Sequence, residues 1–197
     1  MTPVKALGPR LLSGRFVALE PLLPEHDEAL SAAAADAALW EHVPFDAAAG
    51  FAAKLAELHR MMAAGTQLVY AVRRLADGQI VGSTSYMALA PEHARVEIGS
   101  TWYVAEAQGT AVNPEAKLLL LENAFACGYH RVELKTDARN ARSRAAIRKL
   151  GATEEGILRG HVWMPQGRFR DSVYFSILAA EWPAVREGLE RRLAAFA

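Results

Sequence analysis

Residues 96–116 read VEIGSTWYVAEAQGTAVNPEA, and this stretch decides the fold. Within residues 94–104 apolar and polar side chains alternate, which predicts a β-strand. Asn113, Pro114 and Glu115 are typical of a helix start, with an N-cap, a proline in the first helical position and an acid in the first turn. A strand, a glycine-containing loop and a helix are therefore expected to follow one another.

The rest of the chain extends this unit in both directions. Periodicity predicts further strands at 15–20, 68–73, 80–89, 131–136, 153–164 and 169–178, and helices at 24–39, 47–64, 140–150 and 182–196. Antiparallel hairpins come first and one β-α-β crossover lies in the middle, so we expect an α/β fold with a mixed sheet flanked by helices. At 197 residues, without repeats or a low-complexity linker, the chain is expected to form a single domain over residues 1–197.

Composition excludes several classes of protein. The chain has 22 basic and 22 acidic residues, so it lacks the overall basic field of a nucleic-acid-binding protein. Its apolar runs are shorter than the ~20 residues that cross a bilayer, so we expect no membrane partner. The histidines and the single cysteine, Cys127, lack metal-ligand spacing, so no metal site is expected. One cysteine also excludes an intrachain disulfide, which favours a cytoplasmic location.

Basic residues are concentrated in the second half of the chain. Residues 129–170 contain ten lysines or arginines and four acids, so this segment carries +6 and the remainder −6. The asymmetry favours an anionic ligand on one side of the protein, although single side chains such as Arg148 could simply complement a helix dipole. Arg142 and Arg144 are the candidates for phosphate contacts, because arginine binds phosphate through paired hydrogen bonds.

The loop between the opening strand and its helix is a candidate phosphate site. Backbone N–H groups without intrahelical partners converge at a helix N-terminus, and the helix dipole favours negative charge there. The loop is neither a Walker A sequence nor a dinucleotide-binding fingerprint. Its candidate cofactor-binding residues are Gln108, Gly109, Thr110, Ala111, Val112 and Asn113.

Three features together resemble the GNAT superfamily of acyl-CoA-dependent N-acyltransferases. They are VEIGSTWY at 96–103 leading into the glycine loop, RVELKT at 131–136, and Asn140 and Ser143 followed by KLGA at 149–152. The resemblance covers essentially the whole chain. It implies a mostly antiparallel central sheet in which one parallel pair of strands splays apart, with helices on both sides.

A narrower resemblance points to the RimJ/RimL branch, which includes ribosomal-protein N-terminal acetyltransferases. It rests on Asn140 with Ser143, on the helix stop Leu150-Gly151 and on the ending YFSIL at 174–178. The phosphate loop departs from the usual Gln/Arg-x-x-Gly-x-Gly/Ala. Gln108 directly precedes the first glycine, Ala111 stands where the second might be expected, and Asn113-Pro114 is expected to lengthen the loop by one residue.

The resemblance makes acetyl-CoA the expected co-substrate. Its thioester would lie where strands 96–104 and 131–136 splay apart. Backbone amides near the end of the first of these strands would hold the pantetheine arm and the acetyl oxygen, namely those of Trp102, Tyr103 and Val104.

Asn140 and Ser143 carry the other half of the expected site. By resemblance, Asn140 bonds the pantetheine arm and the Ser143 hydroxyl protonates the leaving thiolate, since Ile147 occupies the position where many members carry a tyrosine. The residues themselves allow a simpler interpretation, in which Asn140 is an N-cap and Ser143 an ordinary first-turn serine.

Glu97 is the first candidate for the base that deprotonates the acceptor ammonium. Its carboxylate lies in an apolar strand, where burial is costly and favours a functional role. Glu133 and His161 are rivals, and the family pattern also permits proton removal by solvent. Each side chain could instead face outward from an alternating strand.

The sequence therefore predicts an acetyltransferase that moves acetyl from acetyl-CoA to a primary amine by direct attack in a ternary complex. A protein N-terminal α-amine is the first acceptor, and a small amine such as an aminoglycoside, polyamine or amino acid is the alternative. A CoA-responsive binding module without turnover is a second alternative. The oligomeric state stays open, with a homodimer as one arrangement that the sequence allows.

Overall fold

The computed structural model describes residues 4–46 and 50–196. Within them eight strands form one sheet in the order β1-β2-β3-β4-β5-β6-β8-β7. These are β1 (Leu12–Ser13), β2 (Val17–Pro21), β3 (Leu68–Arg74), β4 (Ile80–Ala90), β5 (Arg95–Tyr103), β6 (Arg131–Asp137), β7 (Thr153–Met164) and β8 (Arg168–Leu178). β5 pairs with β6 in parallel and all other pairs are antiparallel, which confirms the expected mixed sheet.

Helices cover both sides of the sheet. They are α1 (Asp27–Ala33), α2 (Phe51–Ala63), α3 (Val112–Ala126), α4 (Ala141–Lys149) and α5 (Trp182–Ala194). The larger core lies under α3, α4 and α5, on the side that we call the α3 face, and the smaller one lies under α1 and α2, on the α1 face. In the described part of the chain, every helix is too short or too polar to cross a bilayer.

Strand periodicity sorts the central side chains between these two faces. Val96 and Ile98 of β5, and Val132 and Leu134 of β6, enter the core of the α3 face. Because side chains alternate along a strand, the residues between them point to the α1 face. The α1 face of β5 and β6 therefore carries the polar and charged residues.

The first predicted helix is broken where the sequence predicted one continuous segment over 24–39. A 3-10 turn at Pro24–His26 precedes α1, and a second 3-10 turn occupies Ala37–Trp40. The side chain of Asp36 accepts a hydrogen bond from the Ala38 N–H at 2.9 Å, which caps the second turn and separates it from α1. The predicted start of the next helix at 47 lies outside the described residues, and α2 begins at Phe51 with Gly50 as its N-cap.

Helix α3 begins at Val112, two residues before the predicted start. Its N-cap is Ala111 and not Asn113, so Asn113 and Pro114 lie in the first turn and do not lengthen the loop, contrary to the sequence-based expectation. The Thr110 hydroxyl accepts a hydrogen bond from the Val112 N–H at 3.3 Å, which gives the first turn a partner upstream of Asn113. Pro114 still needs no N–H partner in this position.

A buried carboxylate fixes the start of α3 to the amino-terminal hairpin, a contact that we call the Glu115 clamp. Glu115 is only 5% exposed and accepts hydrogen bonds from the backbone N–H groups of Arg15 (2.8 Å), Phe16 (2.6 Å) and Val17 (2.7 Å). Gly14 packs so closely that a Cβ there would lie 2.4 Å from the Glu115 carboxyl carbon. The clamp therefore requires a glycine at position 14 and holds the helix that follows the loop.

Candidate active site

The parallel strands β5 and β6 separate after three residue pairs. Arg95 pairs with Arg131, Val96 with Val132, and Glu97 with Glu133. Beyond this point β5 continues to Tyr103 and β6 to Asp137 without pairing with each other. Ser100, in the diverging part of β5, has a φ of +48°, and the β4–β5 register shifts beside it. Such a bulge bends a strand away from its neighbour. The edges that face this gap carry backbone groups without a strand partner, and Trp102 and Tyr103 lie on one of them.

The loop that leaves β5 leads through a short turn and a glycine into the first turn of α3. A 3-10 turn at Ala105–Ala107 is followed by Gly109, whose φ of +76° favours glycine. Ala111 has a φ of −66°, which is right-handed helical and has no need of glycine. The alanine at this position is therefore compatible with the loop, and the first N–H groups of α3 stay oriented toward it.

Gln108 and Arg142 connect this loop to α4 across the gap. The Gln108 amide donates to the Tyr103 carbonyl at 2.8 Å, and its oxygen accepts from the Arg142 guanidinium at 2.5 Å. Arg144 is engaged elsewhere, because it donates to the Ala138 carbonyl and to Glu154, each at 3.3 Å. Of the two predicted phosphate ligands, Arg142 is therefore the one that reaches the loop.

The first turn of α4 follows the free end of β6 and carries Asn140 and Ser143. Asn140 is the N-cap, because its side-chain oxygen accepts from the Ser143 N–H at 2.8 Å. Within the described residues, the Asn140 side-chain NH₂ and the Ser143 hydroxyl have no hydrogen-bond partner. The capping role thus leaves both groups free to bind a ligand in the gap.

Comparison with known proteins identifies the family to which this chain belongs. The sequence model of the Acetyltransferase (GNAT) domain matches residues 17–153, more than half of the chain. The chain belongs to the GNAT acetyltransferase family. Its predicted membership is confirmed, and with it the activity of an acyl-CoA-dependent acetyltransferase. No curated protein matches the sequence significantly.

Solved structures similar to this GNAT protein span nearly its whole length. A GCN5-related N-acetyltransferase from Brucella melitensis has a TM-score of 0.88 at 29% identity, covering 98% of this chain and 89% of the other. A protein from Chromobacterium violaceum ATCC 12472 assigned to the GNAT acetyltransferases has a TM-score of 0.86 at 32% identity, covering 93% of each chain. Mycobacterium smegmatis RimJ in complex with CoA-disulfide has a TM-score of 0.74 at 25% identity, covering 94% of this chain and 91% of the other.

The gap and loop of this GNAT chain fit acetyl-CoA, which supplies the acetyl group as a thioester. The unpaired edge of β5 offers backbone groups to an amide-rich pantetheine arm. The loop before α3 and Arg142 offer N–H groups and positive charge to phosphates. The free NH₂ of Asn140 and hydroxyl of Ser143 lie on the helix that follows β6.

The three candidate bases lie on or beside the α1 face in different environments. Glu97 is 3% exposed and forms an ion pair with Lys135 at 2.9 Å. Glu133 accepts from Arg95 at 3.0 Å and from Arg131 at 2.8 Å, so two guanidinium groups occupy its carboxylate. Glu97 and Glu133 thus form the last pair before β5 and β6 separate, and Glu133 is held there by two arginines.

His161 is the third candidate, on β7. Its Nδ1 lies 2.9 Å from the Ser172 hydroxyl, and its ring lies 5.7 Å from that of Tyr174. Burial lowers the pKa of His161, and the nearby charges of Lys135 and Arg170 lower it further. The imidazole is therefore neutral at neutral pH and retains a lone pair that could accept a proton.

Two groups of residues on the α1 face were not predicted as groups from the sequence, although Glu97 belongs to the first of them. One is a strip of polar side chains on β5, β6 and β8, which we call the polar strip: Glu97, Lys135, Asp137, Arg168, Arg170, Ser172 and Tyr174. The alternation of the β8 segment RFRDSVYFS carried a signal for it, since every second residue is polar. The other is a cluster of aromatic rings, in which Trp40 lies 5.3 Å from Trp102 and 5.5 Å from Phe51. Short-range patterns gave no sign of this cluster, because its members come from separate segments.

Lys117 is a buried lysine behind the diverging part of β5. Its ammonium donates to the Thr101 hydroxyl at 2.7 Å and to the Thr84 hydroxyl at 3.5 Å. No carboxylate among the described residues pairs with it. Burial lowers the pKa of Lys117 to about 7. The side chain therefore fixes Thr101, next to the bulge at Ser100, and penalises folding when it is charged.

The buried lysine predicts a pH-dependent stability. The unfolded chain holds the Lys117 proton up to about pH 10.5, whereas the folded chain releases it from about pH 7. Stability should therefore rise with pH across this window, and the penalty should be largest at or below pH 7. Lys117→Met should lack this rise and should exceed wild type by a few kcal/mol at pH 7, with the advantage shrinking toward pH 10. Urea unfolding of both proteins at pH 7.0 and 9.5 measures it, and parallel pH profiles would contradict it.

Proposed function

We propose that this acetyltransferase transfers the acetyl group of acetyl-CoA to a primary amine by direct attack in a ternary complex, with a protein N-terminal α-amine as the first acceptor. The proposal rests on one observation, that both substrates have a suitable surface at the same gap. The free polar groups of α4 and the loop before α3 suit the CoA thioester and phosphates. The polar strip on the α1 face suits an amine.

The residues around the gap divide the chemistry between them. A backbone N–H on the edge of β5 that faces the gap, at Trp102 or Tyr103, would polarise the acetyl carbonyl. The Val104 N–H, also predicted for this role, is already donated to the Val81 carbonyl at 2.9 Å. The Ser143 hydroxyl would give its proton to the departing thiolate and take one back from solvent, while Asn140 would orient the pantetheine arm. These assignments extend the sequence-based expectation to the positions that the fold brings together.

A protein N-terminus is favoured by the similarity to M. smegmatis RimJ, the branch that the sequence also resembles. The single cysteine supports a reducing, cytoplasmic setting in which such acceptors occur. A small amine is the second candidate, because residues 40–42 contact the β7–β8 hairpin. Gln166 donates to the Trp40 carbonyl and Arg170 to the His42 carbonyl, both at 3.5 Å, which narrows the approach to the polar strip.

The function is tested by measuring CoA thiol release with acetyl-CoA and a panel of amines. The panel contains short peptides with free N-termini, the same peptides with blocked N-termini, spermidine, an aminoglycoside and free amino acids. Mass spectrometry of the products identifies the acetylated atom. Acetylation of the free N-termini supports the first acceptor, whereas turnover of small amines alone supports the second. Thiol release that is independent of every amine would contradict both.

Acetyl-CoA should stabilise the protein against heat, and dephospho-CoA should do so less. Arg142 lies at the loop and is expected to bind the 3′-phosphate of acetyl-CoA. Dephospho-CoA lacks this phosphate, so the contact would be lost. Stabilisation follows mass action, so ligand at ~100 Kd contributes about 2.7 kcal/mol. Thermal unfolding with each nucleotide, and with Arg142→Gln, measures the effect. Equal shifts from the two nucleotides would show that Arg142 does not bind the 3′-phosphate. The absence of a shift with millimolar acetyl-CoA would contradict the proposed enzymatic function.

Glu97→Gln should slow acetyl transfer at least ~10-fold while acetyl-CoA binding is retained, because glutamine keeps the shape but cannot accept the ammonium proton. His161→Asn is the comparison, since it removes the other accessible proton acceptor beside the strip. Initial rates with a saturating amine and thermal shifts with acetyl-CoA are measured for both variants. Full activity in Glu97→Gln, with a loss in His161→Asn, would move the role of base to His161.

A further inference from the structure

Arg170 is a buried arginine of the polar strip that the acetyl-transfer chemistry does not use. It lies on β8 and is only 7% exposed. Its Nε donates to the Ser172 hydroxyl at 3.1 Å, and one terminal nitrogen donates to the His42 carbonyl at 3.5 Å. The remaining terminal nitrogen has no hydrogen-bond partner within residues 4–46 and 50–196.

The carboxylates nearest to Arg170 are already paired with other cations. Asp137 is held by Arg168 at 2.5 Å, and Glu97 by Lys135 at 2.9 Å. No carboxylate of the described chain lies within ion-pairing distance of the Arg170 guanidinium. The strip therefore contains three cations and two anions, and the excess positive charge is on its most buried arginine.

A buried cation without a counter-ion is costly. Burial lowers the pKa of Arg170, although Asp137 and Glu97 oppose the shift from a distance. A desolvated guanidinium that lacks a carboxylate gains most from an added anion, because its planar group can donate two parallel hydrogen bonds. His161, which also contacts the Ser172 hydroxyl, supplies no anion, because an imidazole is either neutral or positively charged.

Arg170 lies a short distance along the sheet from the point where β5 and β6 separate, which is the proposed place of acetyl transfer. Ser172, to which its Nε is bonded, pairs with Asp137 on β6, and Asp137 is two residues beyond Lys135. Two residues of strand span about 7 Å. Lys135 is bound to Glu97, where β5 and β6 separate, so a ligand of a few bonds could reach from there to Arg170.

We propose that Arg170 binds a carboxylate of the acceptor, so that the preferred acceptor is an amine carrying a carboxylate a few bonds away. This inference rests on the proposed function and narrows its substrate class. Two sources share this chemistry: the α-carboxylate of a free amino acid, and an acidic side chain next to the N-terminal residue of a protein.

The test compares matched acceptors on the wild-type enzyme, so it does not depend on the folding of a variant. Free amino acids are compared with their carboxamides, and peptides beginning Ala-Asp or Ser-Glu with peptides beginning Ala-Asn or Ser-Gln. We expect the carboxylate member of at least one series to have a kcat/KM about 10- to 100-fold higher. A preference for the carboxylate member in the first series identifies a free amino acid as the acceptor. A preference in the second series identifies a protein N-terminus as the acceptor. Equal rates for all pairs would overturn the inference while leaving the acetyltransferase intact.

Variants then assign the preference to Arg170. Arg170→Gln should abolish the difference by raising the KM of the carboxylate member, and Arg170→Lys should restore part of it. Arg159→Gln, an exposed arginine on β7, is the matched control and should leave the preference unchanged. A preference that survives in a folded Arg170→Gln protein would overturn the assignment.

A binding measurement separates failure of this inference from failure of the proposed function. Thermal shifts are recorded with CoA and each member of the same pairs, without turnover. If no amine is acetylated, the proposed function fails, and a larger shift from the carboxylate members that is lost in Arg170→Gln still supports the carboxylate site. Equal shifts would overturn that site.

Discussion

Glu115→Ala is expected to lose about 3–6 kcal/mol of stability. The Glu115 clamp satisfies three backbone N–H groups, of Arg15, Phe16 and Val17, with one buried carboxylate. Its removal leaves the Val17 N–H without a partner in a buried place and the N–H groups of Arg15 and Phe16 without one in partly buried places, and an unsatisfied buried donor costs about 1–3 kcal/mol. Alanine is a better helix former than glutamate, so helix propensity cannot account for such a loss.

Urea denaturation measures this loss, with Glu122→Ala as its control. Glu122 lies on the same helix and pairs with Arg186 at 3.4 Å, but both side chains are about half exposed. Exposed pairs contribute at most about 1 kcal/mol, so the control should unfold close to wild type. Similar midpoints for Glu115→Ala and wild type would show that water replaces the carboxylate at these N–H groups.

Ser143→Ala is expected to lower kcat by roughly 10- to 1000-fold with little change in acetyl-CoA affinity. The variant removes the hydroxyl that would protonate the thiolate, yet it keeps the Ser143 N–H that Asn140 caps at 2.8 Å. The loss can therefore be read as chemistry and not as damage to α4. Steady-state kinetics with a saturating amine, and thermal shifts with acetyl-CoA, measure the two quantities.

Asn140→Ala is the matched comparison for Ser143→Ala. It removes the cap and the free NH₂ together, so it should destabilise the helix by ~1 kcal/mol and weaken acetyl-CoA binding. The two variants thus separate a loss of catalysis from a loss of binding on the same helical turn. A wild-type kcat in Ser143→Ala would show that Ser143 is an ordinary first-turn serine with no part in catalysis.

The sequence predicted those parts of the fold whose signals are local. The Asn140 cap and the alternating strands each depend on a few consecutive residues, and each is found as expected. The start of α3 was placed two residues late, because Asn113 and Pro114 are as compatible with the first turn as with an N-cap. Local preference could not decide between these positions.

The contacts that build the site connect distant segments, and short-range sequence patterns do not predict them. Glu115 meets Val17 across 98 residues, and Lys135 meets Glu97 across 38. Glu97 could be proposed from its type and strand, but its partner could not, because pairing depends on which strands become neighbours. Arg170 looked like one of many basic residues until the sheet placed it among carboxylates that are already paired.

The Glu115 clamp also constrains the order in which the chain can be completed. The N–H groups of residues 15–17 are synthesised before their acceptor, which follows about a hundred residues later. Closing so long a segment costs chain entropy before any contact repays it, so this junction belongs with the slow, non-local steps of folding. Until then, the turn at the amino terminus must stay hydrated. Residues 15–17 therefore wait for Glu115 to be synthesised before they can adopt their final structure.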